Sequence, residues 1–122
     1  MPQPKHFTIE HKEDVFIISP LGSIGALDSE AIRDEWADVL ARLEMADVRR
    51  AVIDLNSLEY FGSIVLELIV VLWKRLSSKR GSLAICNVSP VGLEILQAAK
   101  FETIWPIVPG LPEAIDAVRD EP

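Results

Sequence analysis

Apolar and polar positions alternate along residues 7–12 and then give way to a largely apolar run at residues 15–21. The alternation predicts an exposed or edge β-strand, and an apolar run of that length predicts a more buried one. Asp14 lies between the two segments, where it favours a turn, so the strands are predicted to form a hairpin. Three further apolar runs predict strands at residues 50–55, 82–88 and 103–108.

Between these runs the apolar residues recur at helical spacing. A first helix is predicted from Asp28 as N-cap to about Met45, with Leu27 and Ile32 placed for a hydrophobic staple. The inward positions of this helix are Ile32, Trp36, Val39, Leu40 and Leu43. The other helices are predicted at residues 63–78, from Ser89 as N-cap and Pro90 to about residue 100, and from residues 111–113 onward.

This order of elements, β-β-α-β-α-β-α-β-α, predicts an α/β fold. Alternating strands and helices give a mostly parallel sheet, and the opening hairpin makes it mixed. The fold class is therefore a mixed five-stranded sheet with about four helices. Pro106 in the last strand indicates an edge position. We expect a single domain over residues 1–122, with its core at about residues 7–119.

Composition narrows the classes of partner. Hydrophobic residues make up 49% of the chain and its formal net charge is −7, so we expect neither nucleic acid nor a membrane surface to bind it. The dense basic group, Lys74, Arg75, Lys79 and Arg80, is explained by the negative end of a helix. The N-terminus lacks the apolar segment of a signal peptide, so a cytoplasmic location is predicted.

Residues that commonly carry catalysis are sparse. His6 and His11 have neither a nearby cysteine nor metal-ligand spacing, and we expect both to be solvated. Cys86 lies in an apolar run, which indicates a buried, inert thiol. The Gly22 to Gly25 segment lacks the remaining features of a dinucleotide-binding loop. The sequence therefore predicts a protein that is not an enzyme and has no metal or cofactor.

The second helix carries two apolar stripes. Val65, Ile69, Leu72 and Leu76 form the natural core face. Leu66, Val70 and Trp73 form a second stripe, explained either by a helix wedged between the sheet and a neighbouring helix or by partial exposure for a partner. Ser63 lies at the start of this helix, where it is predicted to act as N-cap and where a phosphate would meet a favourable helix end.

Several segments together resemble STAS domains, the anti-sigma factor antagonists. They are Leu55, residues 58–61, Ser63, Leu66 and residues 73–75, continued by the glycine, strand and helix start at residues 81–90 and by Ala99, Phe101, Ile107 and Ala114. The family's turn before the second helix reads Asp-Ser-Ser-Gly-Leu, and here it reads Gly62-Ser63-Ile64-Val65-Leu66. The resemblance thus retains the family's phosphoacceptor as Ser63.

The resemblance implies that the chain binds an anti-sigma factor of the serine-kinase type and so releases a sigma factor, with phosphorylation of Ser63 blocking that binding. The implied partner-binding residues are Gly25, Tyr60, Gly62, Ser63, Ile64, Leu66, Val70 and Trp73. Two alternatives stay open. One is a STAS scaffold subunit of a signalling or lipid-transport assembly, which Gly62 and Ile64 favour; the other is a small-molecule or nucleotide sensor. A homodimer is also left open.

Overall fold

The computed structural model describes residues 6–21 and 29–119, which form a mixed five-stranded sheet with four α-helices. The strands are β1 (Phe7–Lys12), β2 (Val15–Pro20), β3 (Arg50–Asp54), β4 (Ser82–Cys86) and β5 (Ile107–Val108). The helices are α1 (Ser29–Met45), α2 (Ser63–Ser77), α3 (Pro90–Ala98) and α4 (Leu111–Arg119). Strand order follows the chain, β1 pairs antiparallel with β2, and the other neighbours are parallel. The predicted fold class is confirmed.

The helices are divided unequally between the two faces of the sheet. Each β-α-β connection steps to the next strand in the same direction, and right-handed crossovers therefore bring α1, α2 and α3 to one face. The larger core cluster lies there, and Trp36 of α1 is buried in it beside Phe7, as predicted. Helix α4 covers the opposite face, over a smaller cluster that includes Val15, Val52 and Cys86.

The last strand, predicted at residues 103–108, is wrong over residues 103–106. Residues Phe101–Thr103 form a 3₁₀ turn, and only Ile107 and Val108 pair with β4. The turn places the rings of Phe101 and Trp105 edge to face, with centroids 4.8 Å apart and both side chains buried. Burial of these two rings outweighs the strand propensity of the segment. The edge position indicated by Pro106 is confirmed, because β5 closes the sheet.

The other strands end earlier than the apolar runs predict. Strand β2 ends at Pro20, β3 at Asp54 and β4 at Cys86. After β3 the chain turns, with the Leu58 N–H donating to the Leu55 carbonyl at 3.1 Å. After β4 it turns at Asn87, whose φ of 57° lies in the left-handed region that asparagine tolerates.

His6 is not solvated as the sequence predicts. Its Nδ1 lies 2.9 Å from a carboxylate oxygen of Glu35 on α1, and both side chains are largely buried. The same carboxylate accepts the backbone N–H groups of His6 and Phe7. The contact fixes the start of β1 against α1, whereas His11 is exposed and its ring packs on Phe16.

Within residues 6–21 and 29–119, no helix is both long enough and apolar enough to cross a bilayer. The predicted N-cap Asp28 and its staple residue Leu27 lie outside the described residues.

Candidate protein-binding site at the carboxyl edge of the sheet

The candidate site lies where β3 and β4 end. Because these strands are parallel, the loops that follow them leave the same edge of the sheet. Residues 55–62 lead from β3 into α2, and residues 87–89 lead from β4 into α3. Loops held in place by a rigid sheet in this way commonly carry binding residues. The β3–α2 loop, residues 55–62, carries Tyr60 and leads directly into Ser63, the first residue of α2.

Three buried side chains anchor the β3–α2 loop. Leu55, Leu58 and Phe61 are each at most 5% exposed and belong to the main core cluster. Tyr60 lies directly before the last anchor and is 71% exposed. The apolar anchors therefore hold the loop down on both sides of a tyrosine that points to solvent. An exposed, well-supported aromatic ring of this kind is typical of a protein-binding hot spot.

Ser89 ties the β3–α2 loop to α3. Its hydroxyl donates to the carbonyl of Glu59 at 2.5 Å and accepts the backbone N–H of Gly92 at 2.9 Å. The second bond makes Ser89 the N-cap of α3, with Pro90 at the first helical position, as the sequence predicts. A Cβ atom at Gly92 would lie 2.8 Å from the ring of Phe61, so the glycine permits the close packing of loop on helix.

Asp54 joins the two loops at the same edge of the sheet. Its carboxylate is only 9% exposed and accepts the Asn56 backbone N–H at 3.1 Å and the Asn87 side-chain amide at 3.0 Å. These bonds join the residues that follow β3 to those that follow β4. An open polar groove of about 590 Å³ lies above them, between residues 56–59, residues 87–89 and Pro109.

Ser63 is the first residue of α2 and its side chain is exposed. The prediction that Ser63 is the N-cap is wrong, because Gly62 occupies that position with an extended backbone and no side-chain cap. No described residue hydrogen-bonds the Ser63 hydroxyl. The helix begins at Ser63, one residue earlier than it would if Ser63 were the N-cap. A substitution of Ser63 therefore removes no N-cap from α2.

The first turn of α2 contains no acidic residue, so the positive end of the helix dipole is not compensated there by its own side chains. Glu67 lies one turn after Ser63 and is held by a two-pronged contact from Arg33 of α1, at 2.8 and 2.9 Å. Hydrogen bonds from Arg33 lower the pKa of Glu67 below its ordinary value. The carboxylate nearest to Ser63 along the helix is thus already paired with a cation.

The two predicted stripes of α2 behave differently. The core stripe, Val65, Ile69, Leu72 and Leu76, is fully buried. The second stripe, Leu66, Val70 and Trp73, packs against the main core but remains half-exposed, and Ile64 does the same. The Trp73 ring meets buried Trp105 edge to face at 5.9 Å. The stripe therefore packs on the core and on Trp105, which lies outside the helices, and it still exposes apolar surface; a partner that covers this surface stays a prediction.

Most of the residues predicted to contact a partner come together at this edge. Tyr60, Gly62, Ser63 and Ile64 are consecutive across the loop and helix start, apart from buried Phe61, and the second stripe continues along α2. Gly25 lies outside the described residues. The sequence reasoning missed Ser89 as a loop contact, together with Asp54 and Asn87. The Ser89-Pro90 pair reveals a helix start, but its bond to Glu59 depends on the tertiary fold.

The edge offers no reactive thiol, although Cys86 ends β4 there. Cys86 is buried, as predicted, and burial together with nearby Asp54 and Glu113 raises the pKa of its thiol to about 12. A thiol with such a pKa is almost fully protonated at neutral pH and is a poor nucleophile. Among the described residues, no three His, Cys, Asp or Glu side chains are grouped to hold a metal ion.

Replacing Gly62 tests the geometry of the helix start. A Cβ atom at this position meets nothing within 4 Å, so Gly62→Asp adds a capping carboxylate without a clash. We expect the free energy of unfolding to rise by about 0.5 kcal/mol, from capping and from the helix dipole. Gly62→Ala is the matched control and should give no gain. Urea unfolding of both variants measures the difference, and equal stabilities would contradict Gly62 as the N-cap.

The STAS domain family model matches residues 6–114 of the chain. A relative from Bordetella bronchiseptica, named as the anti-sigma factor antagonist BtrV, is 26% identical over 100 residues, which are 82% of this chain and 83% of the relative. A solved anti-sigma-factor antagonist (STAS) domain protein from Planctomyces limnophilus is 31% identical, with a TM-score of 0.78 over 93% of this chain and 98% of that one.

The anti-sigma factor antagonist SpoIIAA of Bacillus has the same fold in two solved forms. The unphosphorylated form has a TM-score of 0.75 at 20% identity, over 95% of this chain and 98% of that one. The phosphorylated form has a TM-score of 0.68 at 21% identity, over 93% of this chain and 99% of that one.

Proposed function

The chain belongs to the STAS domain family, and from that premise we propose that it is an antagonist that binds a serine-kinase anti-sigma factor in the cytoplasm. Binding releases a sigma factor, and phosphorylation of Ser63 by the partner ends it. The protein acts by occupying its partner rather than by catalysis. The observation that carries this proposal is the exposed Ser63 hydroxyl at the start of α2, beside exposed Tyr60.

The geometry at Ser63 suits a phosphoacceptor. A kinase needs a hydroxyl that it can approach, and the Ser63 side chain is exposed and has no hydrogen-bond partner among the described residues. A phosphate carries about −1.5 to −2 charges and is well tolerated at a helix N-terminus. Because the first turn of α2 has no acid and Arg33 neutralises Glu67, the modified helix would stay folded. The added charge would act on the docking surface alone.

The surface around Ser63 suits a protein partner. Tyr60 is exposed, and half-exposed Ile64, Leu66 and Val70 continue the apolar surface along α2. Aromatic and aliphatic side chains in such a patch contribute mainly when a partner excludes water from them. A doubly charged group placed in the middle of the patch would have to be desolvated on binding, and this opposes complex formation.

The names of the relatives support this assignment. BtrV and SpoIIAA are anti-sigma factor antagonists, and SpoIIAA exists in unphosphorylated and phosphorylated forms. The Asp that precedes the family's phosphoserine is Gly62 here, and the next serine is Ile64. The kinase that modifies this chain would therefore recognise the loop through Tyr60 and the apolar start of α2 rather than through an aspartate.

The proposal predicts phosphate transfer to one residue. The protein is used to capture its anti-sigma factor, and the purified pair is incubated with ATP and Mg²⁺ and mapped by mass spectrometry. We expect phosphate on Ser63 in the wild type and none in Ser63→Ala, while Ser78→Ala, which changes an exposed serine beyond the other end of α2, is still modified. A stable complex without phosphate on Ser63 would instead identify a constitutive STAS scaffold.

A further inference from the structure

We propose that Ser89 is a positioning residue for the candidate site: its hydroxyl holds the segment from Glu59 to Ser63 in the shape that a partner binds. The inference deepens the proposed function and rests on it. Ser89 belongs to the α3 start, not to the β3–α2 loop, and it touches that loop at one atom, the Glu59 carbonyl, at 2.5 Å. It therefore acts on Tyr60 and Ser63 through the backbone.

The Ser89 hydroxyl has both of its hydrogen-bonding functions in use. Its oxygen accepts the Gly92 N–H at 2.9 Å and thereby caps α3, while its proton goes to the Glu59 carbonyl. A hydroxyl has one proton, so these two partners fix the rotation of the Ser89 hydroxyl about its Cβ–Oγ bond. The capped end of α3 is a rigid reference point, because Leu96 and Phe101 bury the helix and the turn that follows it against the core.

Among the described residues, the Glu59 carbonyl is the group through which Ser89 hydrogen-bonds the exposed part of the loop, Glu59 and Tyr60. Leu58 and Phe61 are buried on either side of Glu59 and Tyr60, but buried side chains alone leave the intervening peptide planes free to rotate. No described residue other than Ser89 hydrogen-bonds the Glu59 carbonyl. Fixing that carbonyl fixes the peptide plane that precedes Tyr60, and hence the direction in which the Tyr60 side chain points.

A merely structural role of Ser89 would be to cap α3. Substitutions can separate this capping function from the positioning of the β3–α2 loop. Ser89→Gly removes the hydroxyl donor, and glycine is a nearly equivalent N-cap. Ser89→Ala removes both the donor and the cap. Ser89→Thr keeps both and is the conservative rescue. Ser78→Ala is the matched control, since its hydroxyl also donates to a backbone carbonyl, that of Arg75 at 2.8 Å, but at the far end of α2.

The first measurement needs no partner. Backbone ¹⁵N relaxation of the isolated protein reports order parameters for residues 59–62, which we expect near 0.85 in the wild type, Ser89→Thr and Ser78→Ala. In Ser89→Gly they should fall toward about 0.6, while the melting temperature falls by about 5 °C or less, from the lost hydrogen bond and the slightly weaker cap. Wild-type order parameters in Ser89→Gly would overturn the proposal.

The second measurement uses the anti-sigma factor captured by the wild-type protein. Losing one organising hydrogen bond should weaken binding by about three- to tenfold in Ser89→Gly, with affinity restored in Ser89→Thr. Unchanged affinity in Ser89→Gly would overturn the positioning role while leaving the proposed function intact. If the wild type captures no anti-sigma factor, the proposed function fails, whereas the order parameters still decide whether Ser89 holds the loop.

Discussion

Ser63→Asp is expected to fold like the wild type and to bind its anti-sigma factor at least about tenfold more weakly, a loss of about 1.4 kcal/mol of binding free energy. The variant places a negative charge at the first residue of α2, where the helix end favours it by about 0.3–1 kcal/mol. The same charge lies in the docking surface and must be desolvated in the complex. Calorimetric titration and thermal unfolding of one preparation measure both effects.

Ser63→Ala is the control that separates charge from loss of the hydroxyl. Because Gly62 and not Ser63 occupies the N-cap position, the substitution should change the free energy of unfolding by less than about 0.5 kcal/mol. It should also bind the anti-sigma factor like unphosphorylated wild type. Equal affinities for Ser63→Asp and Ser63→Ala would contradict a charge-operated switch.

Tyr60→Ala is expected to lower the affinity for the anti-sigma factor by about 30-fold or more, since a hot-spot residue contributes about 2 kcal/mol or more. The stability of the isolated protein should hardly change. Tyr60 is 71% exposed, and surface substitutions usually change the free energy of unfolding by less than about 0.5 kcal/mol. Surface plasmon resonance gives the affinity, and urea unfolding gives the stability.

Met45→Ala is the matched control for Tyr60→Ala. Met45 is 88% exposed at the end of α1, so its truncation removes a similarly exposed apolar side chain away from the β3–α2 loop. It should leave both affinity and stability unchanged. A binding loss in Met45→Ala that matches the loss in Tyr60→Ala would place the interface on another part of the surface.

Much of the fold could be predicted because local patterns and tertiary packing agree. The period of α1 already places Trp36 inward, and the Ser89-Pro90 pair marks the start of α3. The segment before β5 could not be predicted, because its turn buries Trp105 against Phe101 and also against Trp73, which lies far back in the chain on α2. The His6 contact with Glu35 likewise joins residues far apart in sequence.

The residues of the candidate site could be predicted from the sequence, but the contacts that hold them in place could not. Ser63 and the half-exposed stripe of α2 follow from spacing along one helix and from the family resemblance, whereas Tyr60, in the loop before the helix, follows from the resemblance alone. The position of the N-cap was not predictable, because Ser63 has the preferred residue type while the observed N-cap is Gly62, which has no capping side chain. The bond from Ser89 to Glu59 joins residues 30 positions apart, and no local pattern encodes it.

The most direct measurement compares two preparations of the same protein that differ only by phosphate on Ser63. Each is titrated by calorimetry with the purified anti-sigma factor, and the dissociation constants are compared. We expect the phosphorylated form to bind at least about 100-fold more weakly, about 2.7 kcal/mol, while both forms melt within a few degrees of each other. Equal dissociation constants for the two forms would contradict the switch at Ser63.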